Sequence, residues 1–253
     1  MRACHCRGPS MRALALFLLL ATAVPARAEE AVDMLLVLVS DVSRSVDDAE
    51  FAMQKEGYTA AFNDPRVVAA IRNGPLGAIA VAYVEFAGSY EVRTVLPWRV
   101  VRDAGSARAL TDAIVAEPRS FRGRTSISAG IDHAMELLRG SRPAFEVQRM
   151  VIDVAGDGTN NSGRDVQAAR DDAVAAGVTV NGLAIINDHP VNYTFAHVQP
   201  PGGLTGWYRQ NVIGGPGAFV IEVREFSQFG EAMTRKLINE IAAAPAPSGK
   251  ARL

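Results

Sequence analysis

The chain has 253 residues, enough for one domain with a real core, and its 49% hydrophobic and 7% aromatic content is ordinary for a globular α/β protein. The formal charge is −1, from 26 basic and 27 acidic residues. Residues 1–28 hold four arginines and no acid, so without them 22 basic and 27 acidic groups leave −5. That balance argues against a general nucleic-acid or anionic-membrane binder.

Arg2, Arg7 and Arg12 precede an apolar run from Ala13 to Val24, and Pro25-Ala26-Arg27-Ala28 supplies an A-x-A-type cleavage site. The pattern predicts a secretory signal peptide over 1–28, with an apolar run too short for a comfortable membrane span. Met11-Arg12 offers a second possible start. Export follows, to the periplasm or outside the cell, with no span left in the mature chain. Cys4 and Cys6 both lie in the leader, so Cys4-His5-Cys6 is a poor metal site and the mature domain, 29–243, carries no disulfide.

Met34–Ser40 is unbroken apolar sequence up to Ser40 and reads as a buried central strand. Asp47–Asn63 follows as a helix, closed by Asn63-Asp64-Pro65, and Arg66–Asn73 as a shorter one. Ala78–Phe86 is a second strand. Ala87-Gly88-Ser89 turns it into Tyr90–Leu96, an antiparallel partner at an edge. Ala104–Ala116 and Ser128–Arg139 are helical, the latter closed by Gly140. Gln148–Val154 is a strand, Arg164–Ala176 a helix capped by Gly177, and Val178–Ile186 a strand. Residues 187–217 break the rhythm as a long insertion with glycines, prolines and the aromatics Tyr193, Phe195, Trp207 and Tyr208. It leaves the carboxyl end of a strand, which puts it on the same rim as the loops described next. Ala218–Val223 is the last strand and Phe226–Ile241 the last helix, with a disordered tail over 244–253. The alternation of strands and helices predicts an α/β, doubly wound, mostly parallel sheet covered on both faces.

Three loops share one rim of that sheet. The first, Asp41-Val42-Ser43-Arg44-Ser45, offers a carboxylate and two hydroxyls at alternate positions where the first strand ends. The second offers Thr125, in Gly123-Arg124-Thr125-Ser126. The third offers Asp157, in Gly156-Asp157-Gly158. All five are hard oxygen donors, which suits Mg²⁺, Mn²⁺ or Ca²⁺ rather than copper or zinc. Two carboxylates with three neutral hydroxyls leave a cation open to an acidic group from outside.

On these motifs the chain resembles a von Willebrand factor type A domain, as in integrin inserted domains, over about Asp33 to Glu240. Those domains carry a metal-ion-dependent adhesion site (MIDAS) made of D-x-S-x-S, then a Thr, then an Asp. Asp41, Ser43, Ser45, Thr125 and Asp157 match it one by one. More narrowly, the chain resembles a bacterial family of secreted single-domain proteins with no assigned function. The resemblance implies a six-stranded sheet with one antiparallel edge strand. It implies a binding module, not an enzyme, that grips an Asp or Glu of a protein partner through the metal. It also implies direct coordination by Ser43, Ser45 and Thr125, with Asp41 and Asp157 acting largely through water.

Plainer readings exist for each residue. Ser45 could cap the helix after it, with Asp48 as the acid of a capping box. Thr125 or Ser126 could cap the next helix, and Asp157 could form a turn with Gly158. Asn160 and Asn161 read as loop residues, with support of the ligands as the alternative; Arg44 as an outward-pointing arginine, solvated or set to meet an acidic partner; and Glu85 and Asp153 as acids either buried and paired or at an edge. His133, His189 and His197 lack ligand spacing. The competing function is metal-dependent hydrolysis of phosphate or ester substrates with Asp41 as nucleophile or base. A phosphatase of the aspartyl-phosphate kind wants a second Asp where Ser43 stands, and a lysine after a later strand. Lys55, Lys236 and Lys250 do not supply it.

Overall fold

The computed structural model describes residues 30–141, 144–186 and 200–242. The leader over 1–28, the tail over 244–253 and residues 187–199 of the insertion, with Tyr193, Phe195, His189 and His197, fall outside them. In chain order come β1 (Glu30–Asp41), α1 (Asp48–Phe62), α2 (Pro65–Arg72), β2 (Ile79–Phe86), β3 (Val92–Val101), α3 (Ala104–Ala116) and α4 (Ile127–Ser141). Then follow β4 (Phe145–Gly156), α5 (Val166–Ala175), β5 (Thr179–Ile185), α6 (Gly203–Asn211), β6 (Val220–Val223) and, after a 3₁₀ turn at Phe226–Gln228, α7 (Phe229–Ala242).

An apolar run with no polar face to offer water belongs in the middle of a sheet. β1 takes that place, buried from Val32 to its end and paired in parallel with β2 and β4. The strand order is β3-β2-β1-β4-β5-β6, all parallel except the β2–β3 pair. One face is covered by α1, α2, α3 and α7 through Tyr58, Phe62, Ile71, Leu110, Phe229 and Leu237. The other is covered by α4, α5 and α6 through Ile131, Leu138, Ala169, Leu204 and Tyr208. The chain winds outward through β2 and β3, then crosses back over β1 to β4. The order therefore reverses between β1 and β4, and the crevice at the carboxyl ends there is where open α/β sheets hold ligands.

α7 meets the sheet through charge as well as apolar contact. Lys236 is fully buried and pairs with Asp153 of β4 at 2.7 Å and with Glu240 one turn on. Asn181 of β5 donates to the same Glu240 oxygen at 2.7 Å. Burial pushes the Asp153 carboxyl up to about 7, with Lys236 opposing the rise and Glu240 adding to it. Burial pulls the Lys236 ammonium down, but the two carboxylates outweigh it and hold it above the usual lysine value.

Several elements differ from the sequence expectation. β3 runs on through Pro97 to Val101 instead of stopping at Leu96, because the pairing with β2 shifts between Tyr83↔Leu96 and Val81↔Arg99. A bulge on an edge strand is where a proline is tolerated. β1 and β4 both begin earlier than their apolar cores, since Glu30 and Ala31 pair with Phe145 and Glu146 while facing solvent. α4 runs past Gly140 to Ser141. The described part of the insertion holds α6, which lies against the sheet face with Leu204 and Tyr208 in the core. Gly203 and Gly206 depress its helical signal.

Candidate metal centre

Asp41 ends β1 with its side chain on the α4–α6 face, and Asp157 follows the last residue of β4. Asp41 is fully buried, Ser43 and Thr125 are 1% exposed, and Asp157 is 5% exposed. The Asp41 Oδ1 accepts from the backbone N–H of Ser43 at 2.7 Å, which turns the chain sharply after β1. Ser43 Oγ then lies 3.1 Å from both Ser45 Oγ and Thr125 Oγ1, with Thr125 donating. Ser45 donates to Asp157 Oδ1 at 2.8 Å. All five residues singled out from the sequence thus meet in one cluster of oxygens.

The plain alternatives for three of them have other occupants. Asp47, not Ser45, caps α1: its carboxylate accepts from Glu50 N–H and Glu50 reaches back to the Asp47 N–H, each at 2.8 Å. That box leaves the Ser45 hydroxyl to face Asp157. Ser126, not Thr125, sits at the start of α4, where its oxygens meet the N–H groups of Ala129 and Gly130. Asp157 is engaged by Ser45 across the β1–β4 crevice.

The loops are braced from outside the cluster. Arg119, its side chain 6% exposed, donates to the carbonyls of Ser43 at 2.6 Å, Val42 at 2.7 Å and Phe121 at 2.9 Å. Asn161 Oδ1 accepts from Thr125 N–H at 3.0 Å, and Asn160 Oδ1 from Ser128 N–H at 3.0 Å. The two asparagines tie the Asp157 loop to the Thr125 loop. Sequence reasoning leaves Arg119 unmentioned and reads Asn160 and Asn161 as loop residues, with support of the ligand loops as the lesser alternative. A clue to them existed in their places, one just before the second loop and two just after Asp157, but nothing in residue type alone marks a brace. Arg44 donates its backbone N–H to Gly123 O at 3.0 Å and its side chain is exposed, as are Arg122 and Arg124. His133 bonds Thr94 Oγ1 at 2.8 Å, away from the cluster.

The electrostatics are those of an acidic site short of positive charge. Burial, and then the Asp157 carboxylate, push the Asp41 carboxyl up to about 8, against the hydrogen bonds from Ser43 and the more distant Arg119. Asp41 Oδ2 has no hydrogen-bond partner among the described residues, and neither has Tyr208 Oη of α6, which is also fully buried. Among the described residues no three His, Cys, Asp or Glu side chains converge as a metal-binding group. The cluster instead joins two carboxylates to three hydroxyls. Its oxygen spacings fit a small hard cation. Neighbouring ligands at roughly 2.0–2.1 Å in an octahedron stand about 2.9 Å apart, and the spacings here are 2.8, 3.1 and 3.1 Å.

A family model described as a protein of unknown function, DUF1194, matches residues 31–245. No curated protein matches the chain. Among solved structures, it is similar to proximal thread matrix protein 1 from the mussel byssus. That structure, with its MIDAS motif occupied by zinc, has 19% identity and a TM-score of 0.61, over 83% of this chain and 48% of that one. A von Willebrand factor type A structure from Catenulispora acidiphila gives 15%, 0.56, 83% and 43%. The pilus adhesin SpaC from Lactobacillus rhamnosus GG, in an open conformation, gives 15%, 0.52, 83% and 30%. The chain spans about half the length, or less, of these structures. At such identities the likeness establishes the fold, which is that of a von Willebrand factor A-type domain.

Proposed function

The chain belongs to the DUF1194 family, and we propose that it is an exported binding module that holds a divalent cation and uses it to grip an acidic side chain of a protein partner. One observation carries the reading: five oxygen-bearing side chains from three separate loops converge at the strand-order reversal, with a buried carboxylate oxygen unpaired. Two buried carboxylates so close need positive charge, and neither described lysine reaches them. Lys55 bonds the Glu117 carbonyl and Lys236 pairs with Asp153.

Ser43, Ser45 and Thr125 would hold the cation, with Asp41 and Asp157 supplying the charge. The oxygen set favours Mg²⁺, with Mn²⁺ or Ca²⁺ as substitutes; the zinc in the mussel protein's MIDAS motif belongs to that protein. Once bound, the cation supplies an electrophilic point for a carboxylate from outside. The exposed guanidinium groups of Arg44 and Arg124 lie on the loops beside it and favour acidic partners, while Arg122 reaches Asp48 at 2.5 Å. Neither lysine among the described residues reaches the site, which weighs against hydrolysis through an aspartyl phosphate. Export rests on the Arg2–Ala28 pattern, and no described helix is long and apolar enough to cross a membrane.

The test is capture of envelope proteins on the immobilised chain, with Mg²⁺ or with chelator. A partner retained with Mg²⁺, released by chelator, and lost when one of its Asp or Glu residues is replaced is the expected result. A partner held equally well in chelator would overturn the reading.

A further inference from the structure

Two tyrosine hydroxyls approach the end of β1 from opposite faces of the sheet. On the α1–α7 face Tyr58 Oη lies 2.5 Å from Ser40 Oγ, so both groups are satisfied. On the other face Tyr208 comes up from α6 toward the neighbouring residue, Asp41. Two glycines clear its way. A Cβ on Gly182 of β5 would stand 2.8 Å from Tyr208 Cδ1, so the ring lies flat over that strand. A Cβ on Gly156 of β4 would stand 2.9 Å from Tyr208 Oη and 3.1 Å from Asp41 Oδ2. The hydroxyl and the carboxylate oxygen therefore flank one point, each about a hydrogen-bond length from it. Both residues are fully buried, and neither atom has a partner among the described residues.

Buried polar atoms left without partners are rare and costly. Here a donor and an acceptor, one of each, share a gap that a Cβ on Gly156 would enter. We propose that Tyr208 is a positioning residue of the metal centre: its O–H donates toward Asp41 Oδ2 through one bridging water and keeps that side chain aimed into the cluster. Asp41 is then fixed at both oxygens, by the Ser43 N–H on Oδ1 and by Tyr208 on Oδ2. Residues that orient a metal ligand from behind contribute to affinity without touching the metal. Through Tyr208, α6 would thus serve the site from the sheet face that it covers. The proposal rests on the metal reading given above, since a tyrosine that orients Asp41 matters to binding only if Asp41 serves a cation.

The experiment titrates the full purified chain with Mg²⁺, and with Mn²⁺ as a second probe, by calorimetry in wild type, Tyr208→Phe and Asp41→Ala. Thermal unfolding of each is recorded without metal. Tyr208→Phe keeps the ring in its slot and removes only the hydroxyl. The expected result is a roughly 10- to 100-fold loss of metal affinity with a metal-free melting midpoint equal to or above wild type. Gly156→Ala, which wedges a methyl between the two oxygens, should lose affinity as well. Wild-type affinity in Tyr208→Phe, with binding still lost in Asp41→Ala, overturns the role of the tyrosine and leaves the metal site standing. A lowered midpoint with unchanged affinity shows a packing role only and also overturns it. Failure of the wild type to bind either ion removes the reading beneath the proposal and the proposal with it.

Discussion

The molecule buries two pairs of carboxylates, and it treats them in opposite ways. Asp153 and Glu240 lie under α7 with a lysine from the chain itself set between them. Asp41 and Asp157 lie at the ends of β1 and β4, ringed by hydroxyls, with no described lysine beside them. Burial raises Asp153 to about 7 and Asp41 to about 8, so neither pair is comfortable. The first is closed, because its counter-charge is covalently part of the fold. The second has carboxylates, hydroxyls and an orphaned oxygen, and on the proposed reading it takes its counter-charge from a bound cation. Removing a partner from a buried ion pair is far more damaging than the pair is stabilising. The two sites should therefore respond to mutation in opposite directions.

The largest effect is expected at the closed site. Lys236→Ala leaves two carboxylates buried without a cation and should cost about 3–5 kcal/mol, read as a lower denaturant midpoint in chemical unfolding. A loss under about 1 kcal/mol would mean that the pair is not buried as described. Next comes the brace between the loops. Arg119→Ala removes a charged donor from three carbonyls, and such bonds contribute about 1.5–3 kcal/mol each at most. It should lower stability by about 2 kcal/mol and weaken Mg²⁺ binding as the Ser43 loop loosens. Arg119→Lys, which cannot span all three carbonyls, should restore only part of either.

A pH series sharpens the contrast. Asp153 has a folded value near 7, above its unfolded value of 3.8. Between those values the folded chain keeps a proton that the unfolded chain has lost, so this group's contribution falls as pH rises from about 4 to 7. Asp153→Asn should flatten that slope, seen as a smaller difference in melting midpoint between pH 5 and pH 7 than in wild type. An equal slope in the variant would place the titration elsewhere. The smallest change in stability is expected for Asn161→Ala, which removes one acceptor from the Thr125 N–H and should cost about 1 kcal/mol in urea unfolding.

The sequence showed the rim better than it showed what supports the rim. D-x-S-x-S, the Thr and the Asp could be picked out because a hard-cation site restricts residue types to oxygen donors, and the fold brings those five side chains together. The sheet was legible because β1, β2 and β4 carry apolar cores that cannot face water. α6 was not, since Gly203 and Gly206 mute a helical pattern and only packing against β5 and β6 makes it a helix. The last part of β3 was hidden by Pro97, which an edge bulge accommodates. Arg119, Asn161 and Tyr208 are common residue types whose roles depend on distances across the fold. Lys236 is the plainest case. A lysine on an amphipathic helix reads as solvent-facing, and only the presence of Asp153 on the strand beneath explains its burial.

The most direct test of the open site is a calorimetric titration of the purified chain with Mg²⁺ beside Asp41→Ala, with metal-free unfolding measured for both. The account predicts saturable binding in wild type and none in the variant, while the metal-free variant is as stable as wild type or more so, because an uncompensated buried carboxylate has been removed. Equal Mg²⁺ affinity in the two chains would contradict it.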